Sequence, residues 1–158
     1  MSISEQGGAH PIELTDAQRH IIRKLQANYA FFSAMTEKEM AAFLRLCKQV
    51  AYEKGQAIFH QGESAQDFYL VISGEVVITL RDRELARLGP GRIFGEMSLL
   101  ESLPRTASAA AAAAVRAFTI PAAVMSEKTP ALAYKVLRGV ALQMSEKLRE
   151  TNAHLLPS

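Results

Sequence analysis

Two short stretches hold residues whose types and spacing could do chemistry together: Gly95-Glu96-Met97-Ser98 and Pro104-Arg105-Thr106. Gly95 allows backbone to approach a ligand closely where a strand gives way to a short helix. The amides of Glu96, Met97 and Ser98 then become free donors at a helix N-terminus, a natural anion site. Glu96 offers an acceptor for a hydroxyl, and Arg105 a planar donor fork that matches a phosphate. These are the parts a phosphate-and-ribose site needs. An ordinary turn with a surface ion pair would use the same two residues, at a gain of only about 0–1 kcal/mol.

The elements that must position these residues fall into three blocks. Thr15 to about Ala27 reads as a helix with Thr15 or Asp16 as cap. A second helix starts at Thr36, where Thr36-Glu37-Lys38-Glu39 forms a capping box and Met40, Phe43, Leu44 and Cys47 share an apolar face. From Val50 to about Pro121, short apolar runs recur between glycines, the pattern of a sandwich or barrel. Ser73-Gly74-Glu75 reads as a hairpin turn. A short helix over 121–127 precedes a longer one, with Thr129 as cap and Pro130 at the first position. Leu137, Ala141, Met144, Leu148, Thr151 and Leu155 then alternate at four and three residues. Such a seam suits a helix packing on its own barrel and a parallel dimer equally well. Residues 107–114 are seven alanines and one serine, helix formers by propensity alone.

The stretch Phe94-Gly95-Glu96-Met97, with Arg105-Thr106-Ala107 after it, resembles the phosphate-binding cassette of the cyclic-nucleotide-binding domain family. Lys54-Gly55-Gln56-Ala57-Ile58-Phe59, Asp67 to Gly74, and Leu88-Gly89-Pro90-Gly91 match that family's glycine-spaced strands, so the resemblance covers nearly the whole chain. It implies a mainly β fold with flanking helices, an eight-stranded, jelly-roll-like β-roll. It also makes residues 107–114 the end of one strand, a turn and the start of the next. The expected layout is a flexible N-terminus over 1–14 and one domain over 15–158. Within that domain, helices occupy 15–48, the β-roll 50–121, and C-terminal helices 121–156. The resemblance places the cyclic phosphate on Arg105, Thr106, Gly95, Met97 and Ser98, and the ribose 2′-hydroxyl on Glu96.

The stretch from Gln143 to Asn152 resembles the dimer helix of catabolite-activator-type regulators, whose Thr-Ser pair contacts adenine, the serine from the second subunit. Thr151-Asn152 stands at that place, which shifts the heptad toward a homodimer through residues 130–155 and toward cAMP. Thr106 resembles the threonine of cGMP-dependent kinase sites, where its hydroxyl accepts from guanine, so it stands as a base contact pointing toward cGMP. Two adenine contacts outweigh one guanine contact, and the expected ligand is cAMP with cGMP weaker. The chain ends at Ser158, before the helix-turn-helix domain of those regulators would begin, so DNA binding is not carried over. The expectation is a stand-alone receptor, not an enzyme, relaying occupancy through its C-terminal helix to an effector protein the sequence does not identify.

Composition narrows the alternatives. Of the 158 residues, 49% are hydrophobic and 22% charged, the balance of a globular protein, and a net charge of +2 without basic clusters gives no footprint for nucleic acid. No apolar run is long enough to span a membrane, and Met1 to His10 lacks the plan of a secretory signal, so a cytoplasmic location is expected. The single cysteine, Cys47, excludes an internal disulfide and cysteine-based metal centres, and reads as a buried structural thiol. Of the histidines, His10 and His154 lie near the termini and read as solvated. No two of His10, His20, His60 and His154 are close in sequence, which tells against a cupin-type metalloenzyme on a similar fold. A cGMP-selective receptor and an interaction module with a lost ligand are the remaining alternatives.

Overall fold

Thr15 and Thr36 open their helices by the same device. Each threonine hydroxyl accepts the amide of the third helical residue, and the side chain of that residue, Gln18 or Glu39, accepts the cap amide at 2.8 Å. A cap of this kind stabilises a helix by about 1 kcal/mol. The structure, a computed structural model, describes residues 14–155. The flexible terminus expected over 1–14 lies, but for Leu14, outside the described residues, as does His10. The helices are α1 (Asp16–Asn28) and α2 (Glu37–Leu46), with a 3-10 turn at Ala30–Phe32 between them. Cys47 caps α2 rather than extending it, and burial pushes its thiol up to about 12. The first strand begins two residues before the expected Val50.

Eight strands follow: β1 (Lys48–Tyr52), β2 (Ala57–Phe59), β3 (Asp67–Ser73), β4 (Val76–Leu80), β5 (Arg83–Leu88), β6 (Ile93–Phe94), β7 (Ser108–Ala111) and β8 (Val115–Pro121). They form two antiparallel sheets, in the orders β1-β8-β3-β6 and β2-β7-β4-β5. This is the eight-stranded β-roll with flanking helices. β3 is buried on both faces, so it reads as a continuous apolar run. Its Phe68 and Leu70 face a core shared with the helices, where Phe31, Phe32 and Phe43 cluster. Its Tyr69 and Val71 point between the sheets, where Val76, Phe94 and Ala109 meet them.

Two local expectations met different fates. The alanines of 107–114 form strand β7 and the turn into β8, because β7 is held on both sides by β2 and β4 and its inward Ala109 and Ala111 fit a narrow roll interior. Tertiary pairing overrides propensity there. Ser73-Gly74-Glu75, by contrast, is not a hairpin. β3 and β4 belong to different sheets, and the turn carries the chain from one to the other. Gly74 has φ +87°, and a Cβ there would stand 2.0 Å from the Ala114 carbonyl oxygen. The hairpin is the next turn, where Arg81 and Asp82 both take positive φ between the paired β4 and β5. That geometry matches the strand twist, but neither residue advertises it as glycine or asparagine would.

The six-residue α3 (Glu96–Glu101) follows β6, and a 3-10 turn at Ala122–Met125 precedes α4 (Pro130–Leu155), which starts at Pro130 as its sequence requires. α4 buries Leu132, Val136 and Val140 against the helical core. The heptad row lies on an adjacent face. Leu137, Leu148 and Leu155 are exposed and Met144 is partly buried. One helix therefore packs on its own barrel and also presents an apolar row outward.

Candidate functional site

Gly95 ends β6 with φ +80°, a conformation an L side chain resists, and a Cβ there would meet Arg105 Nη1 at 2.7 Å. The chain turns at this point into α3 and brings Glu96 and Ser98 inside, at 4% exposure each. Arg105, on the stretch before β7, is 5% exposed. Its Nη1 donates to the Gly95 carbonyl at 2.7 Å and its Nη2 to the Asp67 carbonyl at 2.6 Å. The guanidinium lies 4.1 Å from the centre of the Phe59 ring, itself packed against Tyr69 and Phe94. Burial pulls the Arg105 pKa below its usual value, against the opposing influence of Tyr69, Asp67, Glu63 and Glu96. Two of its five N–H donors are spent on backbone, which leaves three.

These residues line one cavity of about 470 Å³. Gly95, Glu96, Met97, Ser98, Arg105, Thr106 and Thr151 all border it, so the fold brings together every residue singled out in the sequence except Asn152. Asn152 is exposed on α4 and does not line the cavity of its own chain. Met97, half exposed, is cavity wall, whereas Leu99 packs on the core. Ile78, Leu85 and Ala86 supply an apolar side.

Besides Thr151, α4 sends to the cavity residues that no motif in the sequence marks. Lys147 Nζ reaches Glu96 Oε1 at 3.2 Å and donates to the Ile93 carbonyl at 2.8 Å. Glu150 and His154 also lie on the wall, where His154 is exposed, as expected of a residue near the terminus. Arg92 joins them from the turn before β6, its Nη atoms 3.2 and 3.1 Å from the Glu150 carboxylate. Arg92 holds the Glu150 carboxyl below its usual range. Their signal in sequence was faint, a Lys and a Glu three apart on what reads as a solvated helix face. Arg87, Arg92, Arg105 and Lys147 face Glu96 and Glu150 around the cavity, an excess of positive charge that favours an anion. His60 pairs with Glu63 at 2.9 Å, and among the described residues no three His, Cys, Asp or Glu side chains are grouped to hold a metal ion. No helix among those residues is long and apolar enough to cross a membrane.

Residues 49–128 match the cyclic nucleotide-binding domain family. Over 85 residues the chain is 41% identical to a cyclic AMP receptor protein of Thermus thermophilus, covering 51% of this chain and 39% of that one. Over 120 residues it is 34% identical to a cGMP-dependent protein kinase of Toxoplasma gondii, covering 74% of this chain and 12% of the kinase. The chain thus spans well under half the length of either relative. Among solved structures, the catabolite activator protein of Thermus thermophilus superposes with a TM-score of 0.63 at 34% identity, over 79% of this chain and 61% of that one.

Proposed function

The chain belongs to the cyclic nucleotide-binding domain family, and from that we propose that its cavity binds cAMP, with cGMP weaker, and that occupancy is relayed through α4 to a partner protein. The observation that carries the proposal is the cavity itself. The buried Arg105 and Glu96 both border it, in a lining with excess positive charge. A cyclic phosphate is a monoanion that can take the unspent donors of Arg105 together with the cassette amides of Met97 and Ser98. The ribose 2′-hydroxyl would donate to Glu96, whose carboxylate Lys147 already holds in place. The base would extend along Ile78, Leu85 and Ala86 toward Thr106 and Thr151.

The choice of base rests on hydrogen-bond chemistry. Thr151 Oγ1 donates to the Lys147 carbonyl at 3.0 Å, so it has lone pairs to offer and no proton, which suits the exocyclic amine of adenine. Thr106 offers one hydroxyl to a guanine, a modest lever of about 0.5–1.5 kcal/mol. Relatives that carry cAMP and cGMP in their names are both among those above. Asn152 would complete the adenine contact from a second copy, with the exposed row from Leu137 to Leu155 as the dimer seam. In this reading the protein is a cytoplasmic receptor rather than an enzyme.

A calorimetric titration with cAMP and with cGMP tests it. We expect one site per chain, saturable by both and tighter for cAMP. A folded protein that binds neither nucleotide would leave the cavity without this ligand.

A further inference from the structure

α4 is one continuous helix held by two kinds of contact. As far as Met144 it is anchored by apolar burial, with Leu132, Val136 and Val140 inside the core. Lys135 adds an ion pair to Glu39 of α2. Beyond Met144 no residue of α4 is buried, and the contacts with the β-roll are polar. Gln143 marks the changeover. It accepts the Ile93 amide at 2.8 Å and donates to the Gly91 carbonyl at 2.7 Å.

Arg92 sits between those two backbone contacts. Its guanidinium takes both oxygens of Glu150, and Nη1 also stands 3.5 Å from Glu146 Oε1, one turn earlier on the helix. The arginine is 22% exposed and the two glutamates about half exposed. Its Nε is the one buried side-chain nitrogen or oxygen without a hydrogen-bond partner among the described residues. Arg92 also borders two cavities, the ligand cavity and a second of about 250 Å³ lined by Tyr29, Phe31, Leu142 and Gln143. It stands as the partition between them.

We propose that Arg92 is a positioning residue that clasps the distal part of α4, residues 146–155, over the cavity through Glu146 and Glu150. Thr151 and His154 stand at the base end while that clasp is closed. As far as ligand is concerned, this rests on the reading of the cavity as the nucleotide site. The clasp is built from partly exposed charge, so salt weakens it, whereas the apolar anchorage of residues 132–140 is not screened. A charge arrangement of this kind also survives reversal of both signs, which a packing role for the arginine would not.

Amide hydrogen exchange on the ligand-free protein reads the clasp without reference to any nucleotide. In Arg92→Ala, we expect exchange across 146–155 to quicken by roughly fivefold, the scale of an exposed ion-pair network, with 131–140 unchanged. Raising salt from roughly 0.05 to 0.5 M should quicken the same segment more in the unmodified protein than in the variant, where the Lys147–Glu96 pair is left to be screened. Arg92→Glu combined with Glu146→Arg and Glu150→Arg should restore the slow exchange. The salt series decides the point even where the triple variant fails to fold. Equal exchange over 146–155 in the unmodified protein and Arg92→Ala, at all salt concentrations, overturns the clasp. Because the variant lacks the clasp, cAMP should dissociate several-fold faster from Arg92→Ala than from the unmodified protein. Arg92-dependent exchange in a protein that binds neither cAMP nor cGMP supports the clasp and rejects the nucleotide reading.

Discussion

The two ends of the cavity are built on different terms. The Arg105 end is interior. Gly95, Glu96 and Ser98 are locked by a left-handed turn, and the guanidinium is braced by two backbone carbonyls and the Phe59 ring. The α4 end is exposed helix surface, whose side chains are held by one another and by ion pairs. On the proposed function, recognition of the anion is tied to the integrity of the roll. The rest of the ligand would then meet the last turns of a helix whose residues beyond Met144 are outside the core.

The largest effect expected from breaking this contrast is at Arg105. Arg105→Ala should lower affinity for cAMP and cGMP alike by at least about tenfold, since a charge-assisted hydrogen bond contributes about 1.5–3 kcal/mol. It should also lower the melting temperature, because it strips the Gly95 and Asp67 carbonyls of a donor. Arg105→Lys should retain the charge and still bind weakly, as a point charge cannot reproduce the fork. Calorimetry and thermal denaturation of the two variants measure these changes. Unchanged affinity in folded Arg105→Ala would remove the phosphate from this residue.

A second, intermediate effect concerns assembly. Leu148 is 61% exposed, whereas Met144 also touches the core, so Leu148→Glu is the cleaner probe of the outward row. Placed in an apolar seam, its charge should yield monomers or aggregates by light scattering. An unmodified protein that is monomeric at micromolar concentration, with and without nucleotide, would mean that the row has no second copy to meet.

The smallest expected effects sharpen the α4 end. Thr106→Ala should widen the preference for cAMP and Thr151→Ala should narrow it, each by roughly tenfold at most, the worth of one net hydrogen bond. Calorimetry with both nucleotides on both variants gives the ratios. Tighter binding of cGMP by the unmodified protein, abolished in Thr106→Ala, would transfer the choice of base from α4 to the cassette.

What was legible in the sequence follows the same division. Gly95, Glu96, Arg105 and Thr106 form a local motif on glycine-punctuated strands, and each residue type has a distinct chemical reason to be there. Lys147, Arg92, Glu150 and His154 were not legible as site residues. Lys147 and Glu96 lie 51 residues apart, and a charged residue on an amphipathic helix looks the same whether it faces solvent or a cavity. Strands β2, β3 and β4 were visible as apolar runs and the count of eight came from the family likeness, but the division between two sheets was not legible, since the turn at Gly74 has the glycine of a hairpin and the opposite role. The strand β7 was legible through family likeness alone, because its alanines argue for a helix until their neighbours on both sides are known.

Arg105 has one more property. Its backbone amide donates to the Glu63 carbonyl and its own carbonyl accepts from Gly62, while its side chain holds Gly95 and Asp67. One residue thus sutures the β2–β3 loop, the start of β3 and the β6–α3 turn. Purifying selection can therefore act on this arginine through protein abundance as well as through the proposed ligand binding. A descendant chain that had abandoned its ligand would still be selected to keep it, while Thr106 and Thr151, which support no such junction, would drift first.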